Sequence, residues 1–407
     1  MNKLMVISNG HGEDTIAVKI IKELQLIEPS RVIVALPMVG KGFAFTQAQI
    51  LLSAPHRAMP SGGFIKQGWW QDVQAGLIDL TMKQYGEVRQ WAREGGKILA
   101  VGDILPLFLA WVTGAEYAFV GTAKSEYYLR NEQGWLENTS ALDRFFGSYY
   151  YPWERWLMGD GRCRAVFVRD QITVNTLTKY QIYAIGANPM MDGIADHVLP
   201  PFQDQFPHHL KILLLPGSRM PEALSNWQKI LQAVDYLIQE NAQSYVFISA
   251  LAPSLPVTEF SQVLSSSWQP STVNLPLRDQ GLQSYGNGNH QLILSQNAYA
   301  DCLHYSQVAI AMAGTATEQF VGLGRRALGI IGEGPQYNRQ FAENQTKLLG
   351  KSVQLLEAPN DITIKLQQIT QNSPQEQEIA DDGRRRMGKS GASLKIAHHL
   401  TQTLLRD

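Results

Sequence analysis

Lys211-Ile212-Leu213-Leu214-Leu215-Pro216-Gly217-Ser218-Arg219-Met220-Pro221-Glu222 is the stretch on which the fold turns. Lys211–Leu215 is apolar without alternation, which reads as a strand buried on both faces. Pro216 to Arg219 is a turn, and Pro221 opens a helix whose apolar spacing runs to Gln239. Strand, short turn and helix form the unit of a parallel sheet covered on both sides. The same unit recurs upstream, with strands over Lys3–Ser8, Arg31–Leu36, Lys97–Val101, Ala165–Val168 and Ile182–Ile185, and helices over Asp14–Gln25 and Asp170–Lys179. Downstream it returns as strands over Tyr245–Ser249, Gln291–Leu294, Val308–Ala311 and Ala327–Ile331.

Between the two series lies Asn188–His209, where Pro189, Pro200, Pro201 and Pro207 crowd a stretch without period. That reads as a linker. The expected fold class is α/β: two Rossmann-like domains facing each other across a cleft. Their bounds are 1–195 and 210–382, with a linker over 196–209 and a terminal helix over 383–407. The last segment is basic and then amphipathic through Leu394, Ile396, Ala397, Leu400 and Leu404. Residues 264–290, rich in Ser, Gln, Gly and Asn, read as a long surface loop, and 122–160 as an insertion dense in aromatics.

Composition excludes several classes. A chain of 407 residues exceeds one ordinary core. Apolar residues at 44% and charged residues at 17% rule out a disordered chain. A net charge of −1 provides no field for a polyanion, so no nucleic acid partner is expected. Cys163 and Cys302 read as reduced thiols. Cys163, between Arg162 and Arg164, is either an activated thiol or a bystander at a strand edge. The histidines lack ligand spacing, so no metal is expected. The apolar runs are too short for a spanning helix or a signal peptide.

Ligands of parallel sheets bind beyond the carboxyl ends of the strands, so the turns there are the candidate site. In Ser8-Asn9-Gly10-His11-Gly12-Glu13-Asp14, Gly10 and Gly12 let backbone approach a ligand, while His11 and Glu13 are titratable; the alternative is a tight strand–helix turn. Asp103, after Gly102, is either a base for a sugar hydroxyl or the cap of the next helix. Gly217 and Ser218 offer donors at a helix start and Arg219 a bidentate cation, a combination suited to a diphosphate. Gly314, Thr315, Ala316 and Thr317 repeat that pattern, with Glu318 or Gln319 one turn on for ribose hydroxyls. Gln336, Asn338, Asn344 and Gln345 form a further polar cluster, for sugar hydroxyls or for solvent. Phe64, Ile65, Trp69 and Trp70, in a Gly-rich stretch beside Lys66, suit a membrane interface or lipid tail, or else plug a core.

Leu215-Pro216-Gly217-Ser218-Arg219 with Glu222, Ala313-Gly314-Thr315-Ala316-Thr317, Gly186-Ala187-Asn188-Pro189-Met190-Met191-Asp192 and Gly102-Asp103 together resemble the lipid-A-disaccharide synthase family of GT-B glycosyltransferases. The resemblance runs over nearly the whole length. It implies inverting transfer of a sugar from a UDP-sugar to a lipid-linked sugar acceptor. The N-terminal domain would take the acceptor and the C-terminal domain the nucleotide sugar, with no cofactor and no obligatory metal. The family's arginine falls on Arg219 and its aspartate on Asp103. The last helix would cross back to the first domain. The protein would be cytoplasmic and peripheral on the inner face of a membrane, with Phe64–Trp70 as the docking loop. Three departures stand out: the opening reads Gly10-His11-Gly12-Glu13-Asp14 instead of Gly-Glu-x-Ser-Gly-Asp, Gln319 occupies a glutamate position, and the aromatic insertion over 122–160 differs. A UDP-sugar 2-epimerase and a non-catalytic nucleotide-sugar or lipid binding relative share the fold and are the alternatives.

Overall fold

The computed structural model describes residues 3–40, 42–53, 77–240, 243–370 and 375–406. Phe64, Ile65, Trp69 and Trp70 lie outside the described residues. The chain divides into two compact units, Met1–Asp192 with Gly388–Asp407, and Gly193–Met387.

The first unit runs β1 (Lys3–Ser8), α1 (His11–Ile27), β2 (Val32–Pro37), α2 (Phe43–Gln47), β3 (Leu51–Leu52), α3 (Leu77–Arg93), β4 (Lys97–Gly102), α4 (Ile104–Val112), β5 (Tyr117–Gly121), β6 (Arg130–Asn131), β7 (Gly134–Trp135), α5 (Ala141–Phe146), α6 (Pro152–Met158), β8 (Cys163–Val168), α7 (Gln171–Thr178) and β9 (Ala184–Gly186). Its sheet has the order β3-β2-β1-β4-β5-β8-β9, parallel throughout. Leu4 to Ile7 and Ile98 to Val101 are fully buried, because helices cover both faces.

The second unit runs β10 (Leu210–Leu215), α8 (Glu222–Glu240), β11 (Tyr245–Ala250), α9 (Val257–Gln262), β12 (Gln269–Pro270), β13 (Gln283–Asn287), β14 (His290–Ser295), α10 (Tyr299–Tyr305), β15 (Val308–Ala311), α11 (Thr315–Gly322), β16 (Arg326–Ile330), α12 (Arg339–Leu349), β17 (Val353–Leu356), α13 (Ile362–Thr370) and α14 (Glu376–Met387). The sheet order is β12-β13-β14-β11-β10-β15-β16-β17. Trp227 on α8 is fully buried at its centre, and its indole N–H donates to Phe260 O at 3.0 Å. A buried tryptophan needs such a partner for its one polar group.

Two expectations change, and the aromatic stretch acquires a form. The stretch 264–290 is not loop throughout: β13 pairs antiparallel with β14, Ser284 opposite Ile293 and Tyr285 opposite Leu292. β13 is half-buried and polar, so it lacks the apolar signature of a central strand. The stretch 122–160 folds as the β6–β7 hairpin with α5 and α6. The expected helix over Gly383–Leu405 is two helices. Arg386 holds the end of α14 in the second unit by donating to Leu348 O at 3.1 Å, and α15 (Ala392–Gln402) follows in the first. Gly388 and Gly391, both at positive φ, break the path between them. The Asp192 carboxylate caps α15, accepting from the N–H groups of Gly391 (2.8 Å), Ala392 (3.1 Å) and Ser393 (2.7 Å). Ile396, Ala397 and Leu400 of α15 then join the core formed by Ile16, Ile20 and Leu24 of α1.

Candidate functional site

In the second unit, β10 and β15 are parallel neighbours with Leu215 opposite Ala311. Their turns therefore leave the same sheet edge side by side, and Met312 N–H donates to Leu215 O at 2.8 Å. Gly217 has φ +101°, and a Cβ there would stand 3.4 Å from Met312 O. Glycine fits both the backbone angle and the close approach of the second turn. Asn226 on α8 donates to Pro216 O at 3.0 Å, and Ala223 N–H to Arg219 O at 2.9 Å, which holds the turn on its helix. Ser218 and Thr315 are exposed, whereas Arg219, Gly314, Ala316 and Glu318 are half-buried. Two helix starts, α8 and α11, thus flank one edge, with Arg219 in the turn before α8. The start of α11 and its dipole favour an anion there, whereas at α8 Pro221 has no N–H and the N–H groups of Ala223, Leu224 and Ser225 are taken by Arg219 O and Pro221 O.

Several expected ligand residues hold this scaffold instead. Thr317 is fully buried and its hydroxyl donates to Ala313 O at 2.6 Å. Gln319 is buried and accepts from the Tyr299 hydroxyl at 2.6 Å. Gln345 is buried and donates to Ala313 O and Gly314 O, both at 3.1 Å, which pins the turn before α11. Asn338 caps α12 by accepting from Phe341 N–H at 3.0 Å. Asn344 is half-buried and accepts from Lys347 Nζ at 3.4 Å. Gln336 is exposed; its backbone N–H and that of Tyr337 donate to the Glu222 carboxylate at 3.2 and 2.7 Å. Glu222 therefore joins the first turn of α8 to the loop after β16.

In the first unit, β1, β4 and β5 are adjacent, and the turns at their carboxyl ends converge. The helix after β1 starts at His11, so His11, Gly12 and Glu13 form its first turn and only Asn9 and Gly10 remain as loop. Glu13 folds over Gly10, where a Cβ would collide with its carboxylate, and accepts from Thr122 Oγ1 at 3.4 Å. His11 is exposed and borders a shallow hollow lined by Thr15, Val18 and Lys22 of α1 and by Ala44, Gln47 and Ala48. Two residues apart on a helix, His11 and Glu13 cannot face the same way. Gly12 is exposed, with open space beside it.

Asp103 caps α4, accepting from Leu105 N–H at 2.8 Å. Burial holds its carboxyl above the ordinary range, opposed by the Leu105 hydrogen bond, the charge of Lys124 and a hydrogen bond from Asn9. Asn9 itself lies against Gly102, where a Cβ would fall on Asn9 Oδ1. Asn9, Glu13, Asp103, Thr122 and Lys124 thus gather at one edge. Sequence reading missed Asn9, Thr122 and Lys124, which carry no motif and are brought in by the sheet order. Cys163 is no activated thiol, since burial pushes it up to about 12.

Asp14 was also missed. It is buried in the first turn of α1, with Ser8 Oγ donating to it at 2.6 Å. Burial pushes its carboxyl from 3.8 up to about 7, although the Ser8 bond pulls the other way. A carboxyl raised in the folded state stabilises the fold below its unfolded value, and that contribution is lost as pH rises through the folded value. Asp14→Asn is therefore expected to be more stable than the wild type by on the order of 2 kcal/mol near pH 8, and equal to it near pH 4. Urea unfolding at both pH values checks this; the same difference at both would overturn it.

Among the described residues, no cluster of three His, Cys, Asp or Glu side chains could hold a metal, and no helix is long and apolar enough to cross a membrane. No protein-family model and no curated protein matches the chain. Solved structures do. The chain is similar to the S. aureus MnaA–UDP co-structure, with 12% identity, TM-score 0.59 and coverage of 98% of this chain and 96% of that one. It is similar to the UDP-GlcNAc 2-epimerase from Neisseria meningitidis bound to UDP-GlcNAc, with 13% identity, TM-score 0.56 and coverage of 98% and 100%. It is similar to CalG4, the calicheamicin glycosyltransferase, with 12% identity, TM-score 0.58 and coverage of 99% of each chain. The chain therefore has the GT-B fold, an α/β architecture of two Rossmann-like domains built on parallel strands.

Proposed function

We infer that the chain is a UDP-sugar-dependent enzyme, and within that class an inverting glycosyltransferase that moves a sugar onto a lipid-linked sugar acceptor. The observation that carries the reading is the paired turn edge of the second unit, Gly217-Ser218-Arg219 beside Gly314-Thr315-Ala316. The start of α11 and the Arg219 guanidinium suit the diphosphate of a departing UDP without a metal. That solved structures of the same fold contain UDP and UDP-GlcNAc supports the nucleotide. Glu318 is the group near this edge for the donor's hydroxyls.

Inverting transfer needs a base for the acceptor hydroxyl. Asp103, Glu13 and His11 in the first unit are the candidates for this role. Asp103 is favoured because burial raises its carboxyl while Lys124 and Asn9 keep it within reach of the charged form. The placement at an inner membrane face, with Phe64–Trp70 as its contact, belongs to this reading.

A second reading, a UDP-sugar 2-epimerase, draws on the Neisseria meningitidis structure. The test is calorimetric titration with UDP, followed by incubation of a panel of UDP-sugars with and without membrane lipid extract. The expected result is UDP binding and release of UDP only when the extract is present. A 2-epimerised UDP-sugar formed without extract would establish the second reading, and absence of UDP binding would end both.

A further inference from the structure

Asn9 follows β1 directly and is 6% exposed. An asparagine just ahead of a helix is suited to turn its side-chain oxygen onto a backbone N–H, as a cap or an Asx-turn. Asn9 does neither. Gly10 precedes α1, and no side chain caps that helix. The Asn9 carboxamide oxygen is buried with no hydrogen-bond partner among the described residues. It lies against Gly102 at the end of β4, where a Cβ would fall on it. Gly102 has φ +136°, so its backbone angle favours glycine as well. The other end of the carboxamide donates to the Asp103 carboxylate. Exchanging the two ends would turn an oxygen toward that carboxylate, so the unpaired acceptor is a consequence of the bond to Asp103.

A buried acceptor left unpaired weakens a fold, and such arrangements persist where they serve a site. The surroundings of Asn9 all fix the Asp103 carboxyl. Leu105 N–H donates to it at 2.8 Å. Thr122 N–H donates to Gly102 O at 3.1 Å, which ties the turn after β4 to the turn after β5. Ser8, opposite Val101, donates to Asp14 at 2.6 Å and holds the end of β1 from its other side. The charged and titratable groups at this edge are Lys124, from the turn after β5, and Glu13 and Asp14, from the first turn of α1. Lys124 is drawn onto Glu154 at 2.6 Å and Tyr149 O at 3.2 Å, so it acts on Asp103 through its charge. Asn9 acts by direct contact.

We propose that Asn9 is the positioning residue of the candidate base, its carboxamide holding the Asp103 carboxylate charged and in one orientation while its own oxygen goes unpaired. The proposal deepens, and rests on, the reading of Asp103 as the base. A base must be charged and aimed before it takes a proton. A neutral donor secures both without adding another titrating group.

The test uses the full chain with aspartate labelled at Cγ and follows the Asp103 carboxyl by NMR as pH is varied. Its signal is the one missing from Asp103→Asn. In Asn9→Leu, which fills nearly the same space without polar atoms, the proton affinity of Asp103 is expected to rise at least about tenfold, the equivalent of one hydrogen bond to a charged group. Urea unfolding of that variant near neutral pH is expected at a midpoint no lower than the wild type, because the unpaired oxygen is removed with the side chain. Asn9→Asp keeps the shape and is expected to share a proton with Asp103, so the pair titrates in two steps, the upper above the wild-type value. With membrane lipid extract as acceptor source, kcat for UDP release by Asn9→Leu is expected to fall roughly 10- to 100-fold with KM for the UDP-sugar unchanged. An unchanged Asp103 titration in Asn9→Leu overturns the proposal. So does a variant that fails to fold or unfolds at lower urea, since Asn9 would then be a structural residue. Unchanged kcat in Asn9→Leu beside an inactive Asp103→Asn overturns it as well. If Asp103→Asn itself releases UDP like the wild type, the reading of Asp103 as the base fails, and the titration still decides whether Asn9 holds the carboxylate.

Discussion

Asp103→Asn is expected to lower acceptor-dependent UDP release by about 10²–10⁴-fold while leaving the affinity for UDP and the stability of the protein nearly unchanged. The choice of asparagine matters. Asp103 accepts from Leu105 N–H at the start of α4, and asparagine caps a helix as well as aspartate does. The variant therefore keeps the cap and loses only the ability to take a proton. Asp103→Ala loses both, and is expected to cost about 1 kcal/mol of stability in addition. Its carboxyl sits above the ordinary range through burial, so a proton taken from a hydroxyl is held less unfavourably than on a solvated aspartate. Comparing single-turnover UDP release with urea unfolding for the two variants separates the roles. If Asp103→Asn turns over like the wild type while Asp103→Ala is merely less stable, Asp103 is a cap and the proton goes to another group, with Glu13 next to be tested.

The central strands were legible because burial on both faces leaves an uninterrupted apolar run; β1, β4, β10 and β15 carry that signature. β13 and β17 were not, since peripheral strands with half-buried polar positions carry no such run. The turns with glycine, hydroxyls and Arg219 were legible for the same reason they are useful, because close backbone approach restricts residue type. What spacing could not reveal was which polar side chains face outward. Thr317 and Gln345 look like ligand residues in sequence, yet their hydrogen bonds close on Ala313 O within the fold. Conversely, Asn9, Thr122 and Lys124 reach Asp103 and Glu13 only through the order β1-β4-β5, which links positions far apart in the chain.

The second large effect is expected at Arg219. Arg219→Ala should weaken UDP binding by roughly 10- to 100-fold, the equivalent of one charge-assisted, bidentate contact of about 1.5–3 kcal/mol. Binding should not vanish, because the start of α11 remains and continues to favour an anion. Arg219→Lys distinguishes charge from geometry. An ammonium keeps the charge but not the planar fork, so its affinity should fall between the other two and decline more steeply with salt than that of the wild type. The turn itself should survive both changes. It is held by Asn226 on Pro216 O and by the Arg219 carbonyl accepting from Ala223 N–H, neither of which uses the guanidinium. Calorimetric titration of UDP into the three proteins at two salt concentrations, with thermal unfolding as a control, is the measurement. If all three bind UDP equally while remaining folded, the diphosphate does not lie on this edge and the paired turns serve only to join strand to helix. A drop confined to Arg219→Ala with Arg219→Lys fully competent would keep the site but assign it a point charge in place of a bidentate grip.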